Sequence, residues 1–304
     1  MEYIEYSYRY AKAIIESDKY LKERYDEFLN VLKNISDDDL SKDFTKRRVA
    51  HEQKKTNFKS ITPSINFLLK KRIKEIPGWE TEVDIFNDET NNNTHTEWRL
   101  DFACENAFAV EVAFNHGEAI CWNLLKPVLA SELNHVKKQI NTQLGIYVCA
   151  TDDLKLFGNI DSASGSFEKV LRYLKPLSNQ LTIPIMIIGL KAPKDFFVSV
   201  DREIKPISDY RISYRQMINI AKKSLDSANM NYETGYLIKK KIKNKSSSQR
   251  LAIFCPETKF GIYNKAKSKE MIDLLTEEGY NLIESGEIVT YDDILELHNK
   301  LRNL

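Results

Sequence analysis

The sequence predicts an α/β fold, a mixed central β-sheet flanked by helices, with helical additions at both ends. Three observations predict it. Apolar residues recur at every third or fourth position before about residue 78 and alternate after it, so the chain passes from helix into strand. Two continuous apolar runs, residues 144–150 and 183–190, have the length of strands covered on both faces. Between residues 98 and 190 the order is strand, strand, helix, strand, helix, strand, which requires parallel as well as antiparallel pairing. No internal repeat is present, and the ten glycines form no linker. The expectation is one domain over 1–304: a helical part to residue 78, a core over 79–190, and a remainder over 191–304.

Each element has its own signal. Residues 10–32 carry Ile14, Leu21, Tyr25, Phe28 and Leu32 at helical spacing. Residues 34–43 are acidic and read as a turn, with Ser36 placed to cap the next element. A second helix is expected over 45–74, broken or kinked at Pro63 and closed by Ile76, Pro77 and Gly78. Residues 81–86 read as an edge strand and 87–96 as a polar loop. Residues 98–104 and 107–114 read as two strands joined tightly through Glu105 and Asn106. A helix is expected over 117–141, with Leu125, Leu129 and Ile140 on one face and Pro127 in its first turn or at a kink. Residues 166–177 read as an amphipathic helix, and Pro184 sits at the start of the second buried strand. Beyond 190 the pattern weakens. A helix is expected over 213–228, an exposed basic loop over 236–250, a short strand over 251–255, and helices near 268–278 and 291–301.

Composition excludes several classes. Lys plus Arg is 45 and Asp plus Glu is 44, a net charge of +1, so any nucleic-acid surface must come from local clustering. The four cysteines, Cys104, Cys121, Cys149 and Cys255, form no C-x-x-C pair and lie in or beside apolar runs, as reduced buried thiols do. No apolar run approaches a membrane span, and residues 1–12 lack an apolar signal core. The expected location is the cytoplasm, with no membrane partner.

The chemistry is concentrated in residues 98–116, WRLDFACENAFAVEVAFNH. Asp101 stands inside one apolar strand and Glu111 inside the next. A charged carboxylate in a buried strand is costly unless it is paired or binds a metal. Two on adjacent strands can converge on one point, and oxygen ligands in a partly dehydrated site are what Mg2+ uses. Either carboxylate alone is more commonly a surface group. The apolar residues on both sides of each argue against that for the pair.

This layout resembles the PD-(D/E)XK nucleases. The run Leu100-Asp101-Phe102, the run Ala109-Val-Glu-Val-Ala-Phe114, and the segment from Asn115 through Trp122 and Pro127 to Leu133 are similar to type II restriction endonucleases of the BglII/BstYI group, over about residues 79–190. The resemblance implies a restriction-endonuclease-like core and site-specific double-strand cleavage of DNA. It implies Mg2+, with Mn2+ able to substitute, held by Asp101, Glu111 and the main-chain carbonyl of Val112. It also implies a homodimer, a GATC-centred palindrome as target, and a cognate DNA methyltransferase in the same system. One departure matters. The superfamily places Lys, and this group Gln, two residues after the glutamate, where this chain has Ala113. Asn115 and His116 are the nearest candidates to take over the water, His116 as a base near neutral pH. Glu118 lies on the same loop, and Glu52 is a weaker candidate for a further acidic ligand.

Double-stranded DNA contacts are expected from Lys54, Asn57 and Lys59, and from the densest basic cluster, Lys239, Lys240, Lys241, Lys243, Lys245 and Arg250, beside Ser246 to Gln249. Two other readings compete with the nuclease. Ala113 favours a DNA-binding protein with a catalytically degenerate nuclease fold. An interaction protein with structural carboxylates would bind neither DNA nor metal.

Overall fold

A computed structural model describes residues 1–56, 58–86, 98–132 and 137–304. The chain divides into two compact units, Met1–Pro206 and Ile207–Leu304.

The first unit opens with β1 (Tyr3–Tyr8), a half-exposed edge strand absent from the sequence expectation. The expected single helix over 10–32 is two, α1 (Ala11–Ser17) and α2 (Lys19–Asn34). Asp18 stands between them in an extended conformation, and its carboxylate accepts the Leu21 N–H at 2.9 Å, capping α2. The acidic stretch expected as a turn is largely helical. Ser36 and Asp39 form a capping box, and Asp37, Asp38 and Asp39 fill the first turn of α3 (Asp37–Gln53), where the helix dipole favours negative charge. At Pro63 the helix expected over 45–74 is broken rather than kinked, and the proline is not inside a long helix. It lies in the first turn of a new one, α4 (Thr62–Ile73), where its missing N–H costs nothing.

The strands match expectation. β2 (Trp79–Asp84) pairs antiparallel with β3 (Arg99–Cys104), which pairs antiparallel with β4 (Phe108–Ala113). Asn106, at φ 57°, takes the left-handed position in the turn that joins β3 to β4. The polar loop expected over 87–96 lies outside the described residues. A short 3-10 turn (Gly117–Ala119) leads into α5 (Ile120–Glu132), and residues 137–141 are not helical. Pro127 lies inside α5 and packs towards Gly145, where a Cβ would come within 3.0 Å of the proline's own. Then come β5 (Leu144–Ala150), α6 (Asp152–Phe157), α7 (Phe167–Leu174) and β6 (Ile185–Leu190), and after them the small hairpin of β7 (Phe196–Val198) and β8 (Ile204–Pro206).

Six strands form the mixed sheet in the order β1-β6-β5-β4-β3-β2. β4, β5 and β6 are parallel and the other pairs antiparallel. On one face Phe102, Phe108, Val110, Ile146, Val148, Met186 and Ile188 pack with residues of α1 to α4, including Ile15, Phe28, Phe44 and Ile65. On the other, Ala113, Tyr147, Cys149, Ile185 and Ile187 pack with Ile120 and Leu124 of α5 and with Phe167 and Val170 of α7. Side chains alternate across a strand, so Asp101 and Glu111 share the α5 face with Ala103, Ala109 and Ala113.

The second unit contains β9 (Ile212–Ser213), α8 (Tyr214–Ser227), β10 (Glu233–Ile242), β11 (Lys245–Cys255), β12 (Phe260–Tyr263), α9 (Lys269–Glu277), β13 (Asn281–Glu284), β14 (Ile288–Val289) and α10 (Tyr291–Arg302). Its main sheet runs β10-β11-β12-β13, and β14 pairs with β9. Residues 236–250, expected as an exposed loop, are instead most of the β10–β11 hairpin. Lys243 and Asn244, at φ 47° and 67°, make its two-residue turn. The consecutive lysines 239–241 conceal the period of two, because Lys239 and Lys241 occupy the solvent face while the half-buried Lys240 lies on the packed one. Among the described residues no helix is long and apolar enough to cross a membrane, and all four cysteines are free.

Candidate active site

The antiparallel ladder of β3 and β4 ends at Phe102 and Val110. Beyond that point the strands no longer bond through their backbones, and a side chain takes over. The Val112 N–H donates to Asp101 Oδ2 at 2.7 Å. A strand residue's N–H and C=O point to the same edge, so the Val112 carbonyl also faces the opened side, next to Asp101. Glu111 is buried, with 5% of its side chain exposed, and its carboxylate accepts from the Asp101 N–H.

Glu111 also meets a group that the sequence pattern did not single out. Lys126 of α5 donates from Nζ to Glu111 Oε1 at 3.3 Å and Oε2 at 3.1 Å, and to the Arg99 carbonyl at 2.9 Å. Its side chain is 13% exposed, so the pair is shielded from water. In the segment ICWNLLKPVLASE it is the only cation, flanked by Leu125 and Pro127. A lone cation in an apolar helix calls for a buried partner. That signal is present in the sequence, but which carboxylate it meets depends on the fold.

Burial dominates the electrostatics. Desolvation, and secondarily the neighbouring Asp101 charge, push the Glu111 carboxyl up to about 8, with Lys126 opposing. Desolvation raises Asp101 too, against the Val112 N–H and Lys126. Tyr147, the register partner of Glu111 on β5, lies beneath and hydrogen-bonds Asn123, one turn before Lys126 on α5. Asn123 Nδ2 in turn donates to Asn115 Oδ1 at 3.1 Å. This chain of contacts fixes α5 against the sheet and so fixes Lys126 over Glu111.

The remaining expected residues fall elsewhere. Asn115 and His116 come after β4, His116 exposed at the start of the 3-10 turn. Among the described residues neither shares a hydrogen bond with Asp101 or Glu111. Glu118 is exposed. Glu52 is 62% exposed and pairs with Arg48 at 3.5 Å, away from the carboxylate pair. Lys54 and Lys59 are exposed, and Asn57 lies outside the described residues. In the second unit Lys239, Lys241, Lys243, Lys245 and Arg250 are exposed and Lys240 is half-buried. Gln249, at the end of the segment beside that cluster, is buried and engaged. Its Nε2 donates to the Arg250 and Lys265 carbonyls, and its Oε1 accepts the Lys267 N–H.

The model of the family described as Restriction endonuclease BglII/BglIII matches residues 3–190, well over half of the chain. The solved structure of restriction endonuclease BglII in complex with a DNA 16-mer resembles the chain with a TM-score of 0.42 at 16% identity, over 67% of this chain and 89% of that one. No curated protein matches the sequence. The family match runs from β1 to the end of β6 and encloses both carboxylates and the helix that covers them: the chain belongs to the BglII/BglIII family of restriction endonucleases, type II enzymes that cut DNA at specific sites.

Proposed function

We propose that this restriction endonuclease hydrolyses phosphodiesters of double-stranded DNA at the Asp101–Glu111–Lys126 cluster, with Mg2+ as its cofactor and Mn2+ able to substitute. The observation that carries the reading is a half-buried lysine bonded to a buried glutamate whose carboxyl neighbours a second carboxylate on the adjacent strand.

The donor set fits a hard divalent cation. Asp101, Glu111 and the Val112 carbonyl would all be oxygen ligands, and a bound cation would offset the desolvation that raises both carboxyls. Among the described residues no group of three or more His, Cys, Asp or Glu converges, so further positions fall to water and the DNA phosphate. The chemistry such a cation supplies is charge neutralisation at the scissile phosphate and a more acidic water. The protein's own groups do the rest. Asp101 holds the edge of β4 open by bonding Val112 N–H. Lys126 takes the place left by Ala113: its ammonium opposes the burial that favours the protonated Glu111, orients the attacking water, and offsets charge that grows on the phosphate. Asn115 and His116 are exposed beyond the end of β4 and are assigned to the rim of the site.

The assembly is a homodimer whose two-fold axis matches a palindrome, with a GATC-centred hexamer as target and a cognate methyltransferase protecting host DNA. Lys54, Asn57 and Lys59, with Lys239, Lys241, Lys245 and Arg250, supply phosphate contacts, while Lys240 and Lys243 are occupied by Glu278 and Glu270. Ala113 also supports a second reading, a degenerate nuclease that binds DNA without cutting it. Incubation of the purified chain with phage DNA in Mg2+, Mn2+, Ca2+ or EDTA decides between them. Discrete fragments whose sequenced ends share one palindrome support the enzyme. Binding without cleavage in every metal supports the second reading.

A further inference from the structure

The family match ends at residue 190, and the second unit lies beyond it. Its longest element is the β10–β11 ribbon, whose two faces differ in a way that stability does not require. The register pairs Leu237 with Arg250, Lys239 with Ser248 and Lys241 with Ser246, so these six side chains share one face. On the other face Ile238 and Leu251 are buried among Met271 and Leu275, and Tyr236 stacks on Phe254 at 4.5 Å. Gln249 on that face is tied by three hydrogen bonds to main-chain groups.

The acids are sorted in the same way. Lys240 pairs with Glu278 at 2.5 Å, and Lys243 at the turn pairs with Glu270 at 2.6 Å. Lys239, Lys241 and Arg250 have no acidic partner among the described residues, and residues 234–256 contain no Asp or Glu. A surface selected only for solubility intersperses both signs. Here Lys240 on the packed face and Lys243 at the turn are neutralised, and the opposite face is left cationic on a paired ribbon.

We propose that the exposed face of the β10–β11 ribbon is a duplex-DNA contact surface that lies in the major groove, with Lys239 and Lys241 on phosphates, Arg250 on phosphate or a guanine edge, and Ser246 and Ser248 hydrogen-bonding between them. The inference rests on the DNA-cleavage reading and assigns the unit outside the family match to holding the substrate. The dimensions suit it: two strands ~4.8 Å apart fit a groove roughly 12 Å wide that admits a two-stranded ribbon. Lys, Arg and Ser are donors to phosphate oxygens, and the face carries no aromatic ring on which unpaired bases would stack, so duplex is favoured over single strands.

The test is a triple variant of the full chain, Lys239→Thr with Lys241→Thr and Arg250→Thr. Threonine keeps the strand, and circular dichroism melting checks the fold. Affinity for a duplex is read by anisotropy in Ca2+ over a range of KCl concentrations. The proposal expects the slope of log K against log[salt] to flatten by about 2 to 3, near one per lost phosphate contact, with melting unchanged. It expects a paired-face control, Lys240→Thr with Lys243→Thr, to keep the wild-type slope. An unchanged slope in the triple variant overturns it, as does an equal loss in the control or tighter binding to single-stranded DNA or RNA. A wild-type chain that binds no duplex overturns the nuclease reading as well. Duplex binding indifferent to the ribbon overturns the ribbon alone.

Discussion

Glu111→Gln removes one buried charge and leaves the shape of the site intact. Burial and Asp101 raise the Glu111 carboxyl from an ordinary 4.5 to about 8. The sign comes from linkage: the folded state holds the proton more tightly than the unfolded chain, so the group's contribution is fully present below the unfolded value and is lost as pH rises towards the folded one. At ~1.4 kcal/mol per pH unit, a shift of about 3.5 units sets a ceiling near 5 kcal/mol, against a typical total stability of about 5–15 kcal/mol. With 5% of the side chain exposed, solvent screening reduces this little. Urea unfolding in cation-free buffer from about pH 5 to about pH 9 measures it. The wild type loses several kcal/mol across that range beyond what the variant loses, and the two nearly coincide at the acid end. Mg2+ at a hundred times its Kd returns about 2.7 kcal/mol to the wild type at the alkaline end and little to Glu111→Gln. Parallel pH profiles for the two proteins refute the assignment of Glu111 as a buried, strained carboxylate.

Three further outcomes are expected. Lys126→Met lowers the single-turnover cleavage rate by about 10²–10⁴-fold, the range for a lost proton-handling or charge-stabilising group, and Ala113→Lys in the same chain restores part of it. A wild-type rate in Lys126→Met removes the lysine from the site. Gly189→Ala places a Cβ 2.7 Å from the Phe167 ring, inside the packed sheet face, and costs about 1–3 kcal/mol in chemical unfolding. Ser36→Ala breaks the capping box of α3 and costs about 1 kcal/mol, read in the same assay.

The carboxylate pair is legible because charge inside an apolar strand violates the local pattern. Asp101 and Glu111 need no partner in sequence to stand out. Lys126 violates its pattern just as plainly, but the residue it answers lies on another element, fifteen positions earlier, and only the sheet brings them together. The buried strands β5 and β6 announce themselves by continuous apolar runs. The β1 edge strand does not, because it buries little, and the β10–β11 ribbon is hidden because its solvent face is built from lysine. Helix boundaries move where side-chain caps decide them: Asp18 divides one helix into two, and Ser36 starts a helix where acidity alone suggests a turn. Asn115 and His116 follow β4 closely in sequence, yet both are exposed and Asn115 bonds Asn123, while α5 presents Lys126 to Glu111.

The most direct test is digestion of phage DNA in Mg2+ by the wild type beside Asp101→Ala and Glu111→Ala, with duplex binding of all three measured in Ca2+. The account predicts discrete fragments from the wild type, none from either variant, and no loss of fold in the variants. Undiminished cleavage by either variant, or no cleavage by the wild type in any divalent cation, contradicts it.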